Sequence, residues 1–126
     1  MIVRILLDTH LLLWALATPR RLPETARQRI VEAEVYVSAA SIWEISIKSA
    51  LGKLKADPPT VFAAIEPAGF KHLPITGLHA AGVARLPPLH KDPFDRLLIS
   101  QATSEPMILL TNDGALAGYG SLVTVV

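Results

Sequence analysis

Four acidic residues, Asp8, Glu44, Asp95 and Asp113, stand where a carboxylate can do chemistry. Asp8 and Asp113 each follow a short apolar run, Val3 to Leu7 and Met107 to Leu110, that reads as a strand. Ligands of open parallel sheets bind beyond the carboxyl ends of the strands, so both acids belong at one sheet edge. Glu44 shares a helical face with Ser41 and Lys48, beside an apolar stripe of Trp43, Ile47 and Leu51. That placement predicts a partly desolvated carboxylate at the border of the core. Asp95 aligns with Ile99 and Ala102 on the side of its helix expected to be buried, where an acid needs a partner. Carboxylates that converge repel one another, and some then hold their protons to higher pH. A divalent cation removes that penalty, and a site of oxygen donors suits Mg²⁺ or Mn²⁺. One or two such ions can activate water and stabilise the leaving oxygen of a phosphodiester, which makes hydrolysis the chemistry to expect.

Each acid also has a purely structural reading. Asp8 can cap the helix that follows it, and Asp113 can be a turn residue before Gly114. Asp92 reads as an N-cap with Pro93 at the first helical position, and Asp95 then completes a capping box. Glu44 and Lys48 can be an ordinary i,i+4 pair. The catalytic reading gains because all four acids fall at one expected edge. Lys48 and Arg96 neighbour the acids along their helices and are the candidates for phosphate contacts; otherwise they balance Glu44 and Asp95 locally. His10 lies two residues after Asp8, but packing near the first helix is its simpler role. His72, His79 and His90 show no metal-ligand spacing and read as structural or surface residues. Trp14 and Trp43 read as core or subunit interface, with base stacking a minor option.

The elements that must position these residues alternate along the chain. A strand at Val3–Leu7 leads to a helix from His10 to Leu16, which Pro19 stops, and Pro23 opens a second helix. A strand at Val35–Val37 precedes a helix capped by Ser38 or Ser41, which carries Trp43, Ile47, Ala50, Leu51 and Leu54. Asp57-Pro58-Pro59 reads as a break, followed by a short helix from Thr60 to about Ala68 and a weaker strand from Phe70 to Ile75. An alanine-rich helix spans Leu78 to Leu86, another starts at Asp92 and runs to about Ser104, and the last strands are Met107–Leu110 and Leu122–Val126, separated by a helical turn near Ala115 and Leu116. Apolar strands alternating with helices predict an α/β fold, a three-layer α/β/α sandwich around a central parallel sheet.

Composition sets the frame. A chain of 126 residues with 51% hydrophobic and 18% charged residues predicts a single well-packed domain over 1–126. The absence of cysteine excludes disulfides, thiol catalysis and cysteine-ligated zinc, and is compatible with a cytoplasmic setting. No apolar run reaches the roughly 18–20 residues of a membrane span. The apolar N-terminal stretch is interrupted by Asp8 and His10 and reads as folded structure rather than a signal peptide. Net charge is only +1, so four acids drawn to one site leave the rest of the surface basic.

The segments LLDTHLLLWAL (6–16), SAASIWEISIKSALGKL (38–54), HKDPFDRLLISQA (90–102) and LLTND (109–113) resemble the PIN-domain family. Within it they are similar to the VapC-type toxins of bacterial toxin–antitoxin modules. Order, spacing and position agree over nearly the whole chain, and DPFDRLL with a downstream TND is specific. The resemblance implies a parallel sheet flanked by helices and a Mg²⁺- or Mn²⁺-dependent endoribonuclease. Carried over by position, Asp8, Glu44, Asp95 and Asp113 match the family's four acids, and Thr111 matches a hydroxyl residue that often accompanies the last. Asp92 matches a residue common in the subgroup but not in the wider family. The resemblance further implies homodimers and an antitoxin protein that wraps the toxin and blocks its acidic pocket.

The expected reaction is hydrolysis of RNA by in-line attack of a metal-activated water, leaving 5′-phosphate and 3′-hydroxyl ends. An aspartyl phosphatase would want a second acid in Asp8-Thr9-His10, which has none. A Mg²⁺-binding phospho-receiver module, the non-enzymatic alternative, would want an acidic pair after the first strand and a lysine near the last, yet no lysine follows Lys91. A binding-only protein would have no need of four intact acids.

Overall fold

The computed structural model describes residues 2–126. Five parallel strands form one sheet in the order β3-β2-β1-β4-β5. They are β1 (Arg4–Leu7), β2 (Glu34–Ser38), β3 (Lys71–Leu73), β4 (Ile108–Thr111) and β5 (Val123–Val125). Between them run α1 (Thr9–Ala17), α2 (Glu24–Glu32), α3 (Ala39–Ala50), α4 (Pro58–Ile65), α5 (Gly77–Gly82) and α6 (Pro93–Ser104). Short 3-10 turns cover Pro19–Arg21, Val83–Arg85 and Gly114–Tyr119.

Strand alternation builds two cores from one sheet. Ile5 and Leu7 of β1, Val35 and Val37 of β2 and Leu110 of β4 face one side, where they pack with Leu11, Leu12, Ala26, Ile45 and Ile65 of α1 to α4. Leu6 and Leu109 face the other, against Leu98, Ile99 and Ala102 of α6 and Leu116 of the 3-10 turn. With helices over both faces the central strands carry continuous apolar runs, Ile5 to Leu7 in β1 and Ile108 to Leu110 in β4, as a buried parallel sheet requires. This is the α/β/α sandwich expected from the sequence.

From β1 the chain winds outward through β2 to β3, then returns to pair β4 on the opposite side of β1. The winding therefore reverses between β1 and β4, the two strands whose ends carry Asp8 and Asp113. Splayed connections at such a reversal leave a crevice at the carboxyl ends of the strands.

Several local expectations are corrected. The Asp57-Pro58-Pro59 segment opens α4, because prolines in the first turn give up N–H groups that a helix leaves unpaired. The alanine-rich segment divides into α5 and a 3-10 turn. Close packing accounts for the glycine at position 82, where a Cβ would come within 2.6 Å of Ser100 Oγ on α6. His79 is buried and works structurally: its Nδ1 accepts from the Thr76 backbone N–H, so its Nε2 carries the proton and donates to Glu105, 2.6 Å away. The largest correction concerns α3. It ends at Ala50, Trp43 and Leu51 are exposed, and its buried face is Ala40, Ser41, Glu44 and Ile45. The helix is rotated so that Ala40, Ser41, Glu44 and Ile45, rather than Trp43 and Leu51, are buried. Trp43 instead meets Phe94 edge-on at the surface, with ring centroids 5.2 Å apart.

Candidate active site

Asp8 leaves β1 with its backbone N–H still paired to the Leu110 carbonyl of β4 at 3.0 Å, so the ladder itself fixes the residue. One carboxylate oxygen caps α1 by accepting from Leu11 N at 2.8 Å. The other accepts from the Thr111 hydroxyl at 2.5 Å and from Asn112 N at 3.3 Å. The side chain is buried, which pushes its carboxyl above the usual range; the bonds from Thr111, Leu11 and Asn112 pull it back. Thr111 Oγ1 in turn accepts from Asp113 N at 3.0 Å, and Asp113 turns its own carboxylate to cap Ala115 N at 2.9 Å while remaining exposed.

Glu44 reaches the same edge from α3 and is only 5% exposed, well inside the border position expected for it. Its Oε1 lies 2.7 Å from Thr9 Oγ1, which also lies 3.0 Å from Ser41 Oγ. A hydroxyl has one proton, so with Thr9 donating to the carboxylate, Ser41 must donate to Thr9. The other oxygen of Glu44 pairs with Lys48 Nζ at 2.5 Å, and that bond holds the ammonium above its usual range. The charges of Asp92 and Asp95 act on Lys48 in the same direction, so it faces the acid cluster.

Asp95 sits in the first turn of α6. Asp92 caps that helix by accepting from Asp95 N at 3.0 Å, with Pro93 at the first position. The Asp95 carboxylate bonds His90, and among the described residues the expected capping box is not closed. Burial, then the negative charge of Asp92, push its carboxyl up to about 6; the charge of Glu44 adds to this and the hydrogen bond with His90 opposes it. His90 Nε2 is 3.0 Å from Asp95 Oδ2. One ligand atom each from His90, Asp95 and Asp113 lie within 4.8 Å of one another.

A chain of contacts runs round the four acids, and among the described residues it is His90, Asp95 and Asp113 whose ligand atoms lie within 4.8 Å of one another. Asp8 is joined to Asp113 through Thr111, Asp113 lies beside Asp95, Asp95 feels the charge of Glu44, and Glu44 is bound by Thr9, the residue after Asp8. A donor set of carboxylates with one imidazole fits a divalent cation such as Mg²⁺ or Mn²⁺, and the raised carboxyls of Asp8 and Asp95 show the electrostatic cost such an ion would relieve.

Two residues depart from expectation. Arg96 does not face the acids: its guanidinium donates to the carbonyls of Pro87 and Val83 and to the Tyr119 hydroxyl, at 3.0, 3.1 and 3.2 Å. Adjacent helical residues point about 100° apart, so the residue after an inward acid is turned away. It is a tie between α6, the preceding loop and the 3-10 turn, not a free phosphate contact. His90 belongs to the site, although nothing in histidine spacing alone indicates it; its signal is the position just before the Asp92 cap, where the chain folds back across the first turn of α6. Thr9 joins the site through its bond to Glu44, and its place beside Asp8 is the one sequence signal for it. His10 is exposed, and His72 lies against Phe62 and 4.0 Å from Glu66.

An all-parallel sheet with acids gathered at its reversal point defines a class of α/β domain with an acidic site at the carboxyl ends of its strands. The PIN domain family model matches residues 5–121, and the chain belongs to that family. Solved structures agree on the fold. A chain of VapBC2 from Rickettsia felis bound to a promoter DNA fragment superposes with a TM-score of 0.69 at 13% identity, covering 98% of each chain. FitAcB from Neisseria gonorrhoeae gives a TM-score of 0.67 at 21% identity, covering 94% of this chain and 95% of its own. A toxin–antitoxin complex from Klebsiella pneumoniae gives 0.65 at 17% identity over 96% of both chains. No curated protein sequence matches the chain significantly.

Proposed function

We propose that this PIN domain is a Mg²⁺- or Mn²⁺-dependent endoribonuclease and the toxin of a toxin–antitoxin pair. The observation that carries the reading is the chain of contacts round Asp8, Glu44, Asp95 and Asp113 at the sheet's reversal point. A divalent cation held there would polarise a phosphate and ease deprotonation of a water near neutral pH. Asp8, Glu44, Asp95 and Asp113 would hold the cation, with Thr111 tying the Asp8 carboxylate to the Asp113 backbone. Thr9 aims one oxygen of Glu44, and Lys48 at the rim offers positive charge to an incoming phosphate once Glu44 is shared with the cation. Asp92 anchors the α6 turn that presents Asp95 and adds charge to the cluster.

The partner reading rests on the likeness to solved toxin–antitoxin complexes and on exposed apolar groups. Trp43, Phe62 and Leu78 are more than half exposed, the kind of surface that an antitoxin or a second copy of the chain covers. Described residues include no helix long and apolar enough to cross a membrane. A cytoplasmic, homodimeric toxin of one domain is the setting that fits.

The test is incubation of total cellular RNA with purified protein and Mn²⁺ or Mg²⁺, with EDTA and Asp8→Asn as controls. Discrete fragments bearing 5′-phosphates, absent from both controls, are expected. RNA left intact by folded, cation-loaded protein free of antitoxin would overturn the ribonuclease reading.

A further inference from the structure

His90 is placed by a stiff segment. Pro87 and Pro88 precede it, the Leu89 N–H bonds the Pro87 carbonyl at 2.8 Å, and the Asp92 cap with Pro93 follows. Its side chain is 23% exposed, and its Nε2 points at Asp95 Oδ2, 3.0 Å away. A histidine that served only to orient Asp95 would need no second acid. Here Asp113, just past the end of β4, brings an oxygen within 4.8 Å of the same two atoms. Two neighbouring ligands of an octahedral cation about 2.1 Å from its centre stand about 3 Å apart, the separation of the His90 nitrogen from the Asp95 oxygen.

We propose that His90 is a nitrogen ligand of the cation held by Asp95 and Asp113, and that it tilts the site toward Mn²⁺ over Mg²⁺. This rests on the reading of the acid cluster as a cation site. Mg²⁺ is hard and takes oxygen donors almost exclusively, whereas first-row transition ions gain from imidazole. Carboxylates alone would therefore serve either ion, and one added imidazole separates them.

The experiment uses the intact chain freed of metal with EDTA and titrated calorimetrically with Mn²⁺ and, separately, Mg²⁺. His90→Gln is expected to weaken Mn²⁺ binding about tenfold or more, the scale of loss for groups that set metal affinity, and Mg²⁺ binding less than about threefold. Pulsed electron paramagnetic resonance of bound Mn²⁺ should show coupling to ¹⁴N in wild type and none in His90→Gln. The His90→Asp variant, which puts a charged oxygen donor in place of the imidazole, should bind Mg²⁺ at least as tightly as wild type and show no ¹⁴N signal. Equal losses for both ions in His90→Gln would make His90 a positioning residue and overturn the proposal. Bound Mn²⁺ without ¹⁴N coupling, or with coupling that survives in His90→Gln, would do the same. In those cases the acid cluster still stands as a cation site, provided Asp8→Asn weakens binding. No binding of either ion to wild type at millimolar concentration would remove both the proposal and the cation-site reading beneath it.

Discussion

Replacing Asp95 with Asn should make the metal-free protein more stable at neutral pH while destroying activity. Burial and the charge of Asp92 raise the Asp95 carboxyl from 3.8 to about 6. The folded state therefore binds more protons than the unfolded chain between those values, and stability falls as pH rises through the window. Above the folded value the charged form costs the shift in full, about 3 kcal/mol at about 1.4 kcal/mol per pH unit. At pH 4 the same linkage gives only about 0.5 kcal/mol. The side chain is 21% exposed, so solvent screening does not erase the effect. Asparagine carries no charge at either pH. Relative to wild type, Asp95→Asn should thus gain about 2.5 kcal/mol more at pH 7.5 than at pH 4 through loss of the buried charge. With an unfolding entropy near 2.1 cal/mol/K per residue over 126 residues, that corresponds to about 9 °C in Tm. Urea denaturation in EDTA at the two pH values is the direct assay. A variant whose ΔΔG is the same at both pH values would refute the account of Asp95 as a charge held against its surroundings.

Four further outcomes follow from the geometry. Saturating Mn²⁺, at about a hundred times its Kd, should stabilise wild type by about 2.7 kcal/mol in a thermal melt, and EDTA or Asp8→Asn should abolish the gain. Thr111→Val removes the donor to Asp8 and the acceptor for Asp113 N, so it should cost about 1–3 kcal/mol in urea denaturation and weaken Mn²⁺ binding by calorimetry. Arg96→Lys should lower Tm, by about 1–2 kcal/mol of stability, as the fork to Pro87, Val83 and Tyr119 is lost, and leave the salt dependence of RNA binding unchanged. Leu6→Ala, at a fully buried position in the central strand, should cost about 2–5 kcal/mol in the same denaturation assay.

Much of this architecture was legible before any coordinates. The strands around Ile5, Val35 and Leu109 are short β-branched and leucine-rich runs between capped helices, and local propensity with apolar periodicity suffices to find them. Asp8 and Asp113 were placed at one edge because each closes a parallel strand, a consequence of chain direction alone. The caps were legible for the same reason: Asp92 and Pro93 act on the neighbouring turn and need no distant partner.

Only the tertiary structure decided the rest. Strand order depends on which apolar faces meet across the fold, so the reversal between β1 and β4 could not be read from periodicity. The rotation of α3 was set by what Ala40 and Ile45 fit against, and it buried Glu44 while leaving Trp43 outside, against the apolar weighting of the sequence. Arg96 found carbonyls in the loop and 3-10 turn that pack on its helix, and His90 found Asp95 across a turn of its own chain and Asp113 beyond. In each case the deciding partner is a surface or an acceptor brought near by folding. A sequence shows which residues seek burial, charge or hydrogen bonds, and packing chooses among the partners that can satisfy them.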